Sequence, residues 1–479
     1  MKFIAADIED FRSKVSEELQ RGSRFAGLMG ISLEGADRLL TAVTVSSAGE
    51  YSLIESTADR GSYPSLTDIV PSSDWYEKKL AKQYGIYATT YRTGKGILPD
   101  NDNIAKSSLS VGGDGLFTLH YGPVRSGVVE SIEYELHTPG EDIPFMVVHP
   151  GYKHRNVESH LVGISADSAV RKVERVEGVA SVAHALAFSS AVESLAGVTV
   201  PYEAWMLRII HAELERIADH LKVAVLLAEA AGLAVAYSRF SYELELIQQL
   251  RGTLCGNRFS RGVVVPGGVI APLIPSNDAI SRVAHIRDLV YGDASEAMST
   301  PSFVDRIRHA GKLPAGLATD WGAVGVLARG STSGTDTRSF ESVPYAQPYR
   351  DAGYKGERSS QGCDALARQQ VRWEEVWDSF SIIETALDVL DGYGGKKVRK
   401  VWRAPVPDCS GMSLGVFEAP QGECLYLVRM LDGKLAGCAI RSASFQNLQL
   451  FPLIFGGDIF TDFAFNEASM EISAAGASL

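Results

Sequence analysis

Three groups of residues in this chain have the types and spacing from which chemistry could be built. The segment HRNVES carries Arg155 and Glu158, three apart and so on one face of any helix that includes both. A carboxylate there could hold or relay a proton at a site; the plainer reading is a surface ion pair. Glu213, Arg216 and His220 recur at i, i+3 and i+7. Mixed charge on one helical face ordinarily forms a solvated or interdomain salt-bridge network, and a catalytic role needs a pocket around it. GNRFSRGVVVPGGV sets Arg258 and Arg261 ahead of Pro266-Gly267-Gly268. It has neither the GxGxxG nor the GK[ST] pattern of phosphate loops, so a structural turn is favoured. The five cysteines form no CxxC, and the ten histidines include no HExxH. Metal sites want closely spaced thiolate or imidazole pairs, so spacing supplies none. Isolated cysteines read as a reduced, cytoplasmic protein.

The elements that must position these residues can be sketched from periodicity. The first ~110 residues predict a small α+β domain, within the usual range of domain lengths. It holds a helix near Ile8–Gln20, strands at Leu39–Val45 and Tyr51–Glu55, a second helix at Asp74–Tyr84, and a linker at Thr93–Gly113. Beyond it, Leu116–Leu136 alternates like a strand and turn. A helix should start at Pro201, since proline suits a first turn. Within it Ile210, Leu214, Ile217 and Leu221 define a buried stripe. Further helices are expected at Ser241–Cys255, Ser276–Tyr291 and Ala365–Leu390, then mixed strand and helix over Gly411–Leu479.

With 479 residues the chain can bury large cores without disulfides, and its 46 basic against 58 acidic residues show no basic stripe. Nucleic-acid binding is excluded on that ground. The N-terminus has no apolar signal core. The most apolar stretch, Val223–Ala236, contains Glu229 and is too short to span a bilayer.

Several segments in order resemble one superfamily: the C-type and D-type subunits of respiratory NADH–quinone oxidoreductase (complex I) and the large subunits of energy-converting [NiFe]-hydrogenases of the formate-hydrogenlyase type. DWYEKKLAKQYGIY is similar to the signature of the C-type subunits. HYGPVRSGVVESIEYELHTPGE, VVHPGYKHRNVESHL, VPYEAWMLRIIHAELERIADHL and GNRFSRGVVVPGGV resemble successive parts of the D-type subunits. GCDALARQQVRWEEVWDSFSII carries their pattern at Gly362, Asp364, Arg368, Arg372, Glu375 and Ser379, and EAPQGE resembles their APRGE turn. The resemblance implies an α+β fold: a C-like domain over 1–110, then a D-like or hydrogenase-large-subunit-like domain over 111–479, with a central helical bundle and peripheral strands.

The departures from the family are informative. In the hydrogenase branch the metal hangs on two CxxC pairs, because soft thiolates suit such a redox metal. The matching positions here are Glu177 and Ala180, then Ser473 and Gly476, and the APRGE arginine is Gln421. In the complex I branch a histidine after the GP turn and a tyrosine contact the quinone. Here those places hold Arg125 and Gly178, and two usually acidic positions are Lys79 and Lys82. The resemblance therefore implies a chain with no cofactor or metal of its own. It would dock a small subunit bearing a [4Fe–4S] cluster and sit on antiporter-like membrane subunits, at the cytoplasmic side of the membrane. It would act only within that complex, coupling electron transfer to ion movement. Glu158, Glu177, His184 and Arg125 are the candidate pocket residues. The alternatives are a quinone-reducing subunit with relocated contacts and a non-catalytic scaffold. NAD would bind elsewhere in every case.

Overall fold

The computed structural model describes residues 1–33, 37–59, 62–89, 115–126, 129–270, 277–332, 334–392 and 402–479. The expected linker at Thr93–Gly113 lies outside the described residues. The N-terminal sheet has the order Lys2–Ala5, Tyr51–Asp59, Asp37–Val45, Arg24–Ser32. Its first pair is parallel and the rest antiparallel. The helices Phe11–Gln20 and Ser73–Tyr84 accompany it. Arg24–Ser32 is buried along almost its whole length, because the Ser73–Tyr84 helix and the C-terminal Lys434–Arg441 strand both pack on it. A strand covered on both faces reads as a near-continuous apolar run, here FAGLMGI.

At the heart of the molecule is the Tyr202–Ala230 helix. Around it stand the helices Ser181–Ala196, Ala234–Cys255, Ala365–Gly392 and Phe463–Met470. It begins one residue after Pro201, which stays extended at ψ 140° and serves as the cap. The apolar stretch Val223–Ala236 is a bend: Gly232, at φ +69°, turns the chain from one helix into the next. Among the described residues no helix is long and apolar enough to cross a membrane. The fold is thus mixed α and β around a helical centre. The antiparallel sheet Gly411–Ala419, Gly422–Leu431, Lys434–Arg441 lies beside the helical centre and is itself buried. Cys424 to Val428 are completely buried, because the Ser181–Ala196 helix packs against this sheet while its last strand meets the N-terminal sheet.

The PGGV turn is structural. Arg208 donates to the carbonyls of Val265 and Gly268, and is paired with Glu193. Gly268 presses so closely on the Trp402–Arg403 backbone that a Cβ would lie 2.0 Å from the Trp402 carbonyl oxygen.

Two polar contacts in this framework carry testable costs. Lys79, on the Ser73–Tyr84 helix, donates to Glu158 at 2.8 Å, and both are largely shielded from water. Removing one partner of a buried pair strands the other charge. Lys79→Met is expected to lower stability by about 3 kcal/mol, and adding Glu158→Gln should recover part of the loss in a denaturant titration. Glu243, buried on the Ala234–Cys255 helix, faces Asp293 of the Asn277–Met298 helix. Burial first, then Asp293, push its carboxyl up to about 9. A carboxyl raised above its unfolded value contributes stability at low pH, and that contribution is lost as pH rises through the folded value. Glu243→Gln should therefore gain stability over the native chain progressively from about pH 5 to pH 9, measured by melting temperature.

Candidate functional site

The residues from Val182 onward start the Ser181–Ala196 helix, whose first N–H groups need acceptors. Glu215, reaching across from the Tyr202–Ala230 helix, accepts from Val182 N and Ala183 N at 2.8 and 2.9 Å. That carboxylate cap fixes the first turn, which carries His184. His184 lies between two partners: Nε2 is 2.9 Å from Glu177 Oε1, and Nδ1 is 2.7 Å from the Tyr426 hydroxyl. Ser444 Oγ donates to the other Glu177 oxygen at 3.2 Å. Burial pulls His184 down, but the Cys424 sulfur at 3.6 Å and the Glu177 carboxylate outweigh it and push it up to about 10. Tyr426 is pushed well up by burial and by neighbouring Cys424, Cys438 and carboxylates. The pair is a histidine–carboxylate contact sealed from water and able to hold a proton.

The C-terminal segment closes this site. A Cβ on Gly476 would sit 2.4 Å from Glu177 Cδ. Ser444 Oγ also accepts from Ser473 N, and Ser473 Oγ donates to Glu130. Glu177, Ser473 and Gly476 thus gather at one place, with Ala180 buried on the adjoining turn. A carboxylate, a methyl, a hydroxyl and a hydrogen are not a soft donor set, and the carboxylate is already engaged. These residues do not fit a nickel–iron centre.

The other two candidates stand apart from this pair. Glu158 is held by Lys79, by Gln83 Nε2 at 2.7 Å, and by Ile440 N at 2.7 Å. It adjoins Tyr426 only through the sheet, where Tyr426 and Ile440 are cross-strand partners. The expected surface pair of Arg155 with Glu158 does not form. The helix there covers only Val157–His160, and Arg155 donates to the carbonyls of Arg175 and Val176. Arg125 is pinned to Glu467 at 2.8 Å and lies over the rings of Tyr121 and Tyr134.

Glu213, Arg216 and His220 are not solvated. They lie fully buried in a network that their helical spacing does not foretell. Arg216 meets Glu213 and Glu375. Arg329 meets Glu375 at 2.6 Å and Glu418 at 2.9 Å. Arg338 joins Asp336 at 2.6 Å to Glu213. Tyr349 and Ser379 hydroxyls cap Glu213. Burial opposes ionising Glu375, but Arg329, His220 and Arg216 hold it well below the usual carboxylate range. Sequence reasoning misses Arg329, Asp336, Arg338, Glu418 and Tyr426 because none belongs to a periodic polar stripe. The nearest local signal is the Asp336–Arg338 spacing.

Comparisons with known proteins fit this architecture. Residues 233–404 match the family model described as respiratory-chain NADH dehydrogenase, 49 Kd subunit. The carbon monoxide-induced hydrogenase of Rhodospirillum rubrum is 28% identical over 65% of this chain and 85% of its own. Formate hydrogenlyase subunit 5 of Escherichia coli is 26% identical over 85% of this chain and 75% of its own. The D-type subunit of the NADH-quinone oxidoreductase of Prosthecochloris aestuarii is 27% identical over 74% of this chain and 90% of its own. Over residues 233–404 the chain thus resembles the 49 kDa subunit of complex I, and over most of its length it is similar to proteins named as a hydrogenase, as a formate hydrogenlyase subunit and as a D-type subunit of NADH–quinone oxidoreductase.

The contact between Glu177 and Gly476 can be tested directly. Gly476→Ala forces a methyl into the carboxylate and is expected to cost about 1–3 kcal/mol. In a Glu177→Ala background the same substitution should cost much less. Equal costs in the two backgrounds would mean the contact does not shape this region.

Proposed function

We propose that this chain is a subunit of a membrane-associated, redox-driven, ion-translocating complex related to complex I and formate hydrogenlyase, and that it works without a nickel–iron centre of its own. It docks a small subunit carrying a [4Fe–4S] cluster, on the cytoplasmic face of antiporter-like membrane subunits, and couples electron transfer to them. The observation that carries this reading is the Glu177 carboxylate. It stands where the family resemblance sets a thiolate, bonded to His184 and Ser444 and seated against Gly476. The relatives named as hydrogenase and as quinone oxidoreductase subunits support the class of complex. In this reading the buried arginine–carboxylate network is retained as the framework of the coupling subunit, since buried charges need partners.

The test is purification of the intact complex through a tag on this chain, with metal analysis and identification of the neighbouring polypeptides. The expected result is an iron–sulfur small subunit and multi-spanning membrane proteins, iron in cluster amounts, and nickel far below one per chain. Stoichiometric nickel would overturn the metal-free part. Recovery without an iron–sulfur partner would overturn the subunit assignment.

A further inference from the structure

The Tyr202–Ala230 helix continues past the arginine–carboxylate network toward solvent, and its next polar residues form a second cluster. Asp219 is buried, within electrostatic reach of Glu471. Two carboxyl groups so placed repel each other less when one of them carries a proton. Lys222 donates to Glu471 Oε1 at 3.2 Å, and its own side chain is 42% exposed. Gln421 Nε2 donates to Asp219 Oδ1.

Burial first, and then Glu471, push the Asp219 carboxyl well up, against the opposing pull of Lys222 and Arg372. Arg372, one helical turn from Glu375, acts on Glu471 and Asp219 as well as on Glu375. On the inner side, His220 Nε2 is 3.0 Å from Glu375 Oε2 and donates its proton, the carboxylate being acceptor only. His220 Nδ1 is then a bare acceptor. It lies 3.6 Å from Asp219 Oδ2, one small displacement beyond a hydrogen bond. Asp219 Oδ2, His220 Nδ1, Gln421 Oε1, and Nε and Nη1 of Arg372 are buried atoms without a hydrogen-bond partner in the protein. Buried polar groups of this kind are normally satisfied by ordered water.

We propose that Glu471, Asp219 and His220 form a proton line joining the solvent around Lys222 to the buried Glu375 network. A proton arriving at Glu471 replaces the one that Asp219 passes to His220 Nδ1. His220 releases its Nε2 proton to Glu375, and the reverse sequence restores the start. No electron moves and no bond other than O–H or N–H changes. The inference deepens the coupling role proposed above and rests on it, since it gives that subunit a route for the proton.

The experiment begins with the purified full-length chain, carrying carbon-13 on its aspartate side-chain carboxyls. Infrared spectroscopy at neutral pH should show a protonated-carboxyl band that responds to the isotope. The band should vanish in Asp219→Asn and shift in Glu471→Gln. Absence of an isotope-sensitive band, or its survival in Asp219→Asn, would overturn the proposal. This readout needs no partner subunit, so its failure is separable from failure of the subunit assignment. In the intact complex, Asp219→Asn should enlarge the solvent deuterium effect on turnover with the iron–sulfur signals intact. An unchanged deuterium effect would overturn the conducting role.

Discussion

The structure depends on a cluster of mutually paired charges buried beside its central helix. Arg216, Arg329 and Arg338 bridge Glu213, Asp336, Glu375 and Glu418, none of them exposed to more than a trace of water. Each charge alone would cost several kcal/mol to bury. They persist as a set because each satisfies another. The set also joins distant parts of the chain: the central helix, the Ala365–Gly392 helix, the 329–338 segment and the Gly411–Ala419 strand. An apolar core would be as cohesive but would not specify which segments meet. Paired geometry does, and the buried sheet and the helices around it are aligned accordingly.

The same logic explains why the Glu177 site is closed. A carboxylate inside a protein must be bonded or protonated. Here His184 and Ser444 bond it, Tyr426 holds the far side of the imidazole, and Gly476 leaves room because it has no side chain. The result is a carboxylate whose oxygens are both engaged by side chains of the protein itself. Arg125 behaves similarly, engaged by Glu467 and two aromatic rings.

Much of the framework was legible in the sequence because it follows local rules. The helices at Phe11–Gln20, Ser73–Tyr84, Tyr202–Ala230 and Ala365–Gly392 all lie within a few residues of where periodicity sets them. So do the strands Asp37–Val45 and Tyr51–Asp59, the first beginning two residues earlier and the second running four residues further than expected. The burial of Glu213, Arg216 and His220 was not legible. Charge on a helical face looks the same whether water or four other elements cover it, and the covering residues come from as far as Glu375 and Glu418. The pairing of Glu177 with His184 was half visible: both stand out on family resemblance, but Tyr426 and Ser444 lie hundreds of residues away. Lys79 shows the limit most clearly. As a departure from a usually acidic position it suggests altered neighbours, and the neighbour is Glu158 of the same chain.

The carboxylate of Glu215 has a mechanical consequence. It leaves the central helix sideways and grips the start of the Ser181–Ala196 helix by two backbone amides. One turn away on the same rod are Asp219 and His220. A helix resists stretching, so residues 208 and 222 stay about 21 Å apart however the surroundings relax. One stiff helix therefore positions both imidazoles: it carries His220 beside Glu375 directly, and it sets His184 beside Tyr426 through the Glu215 carboxylate.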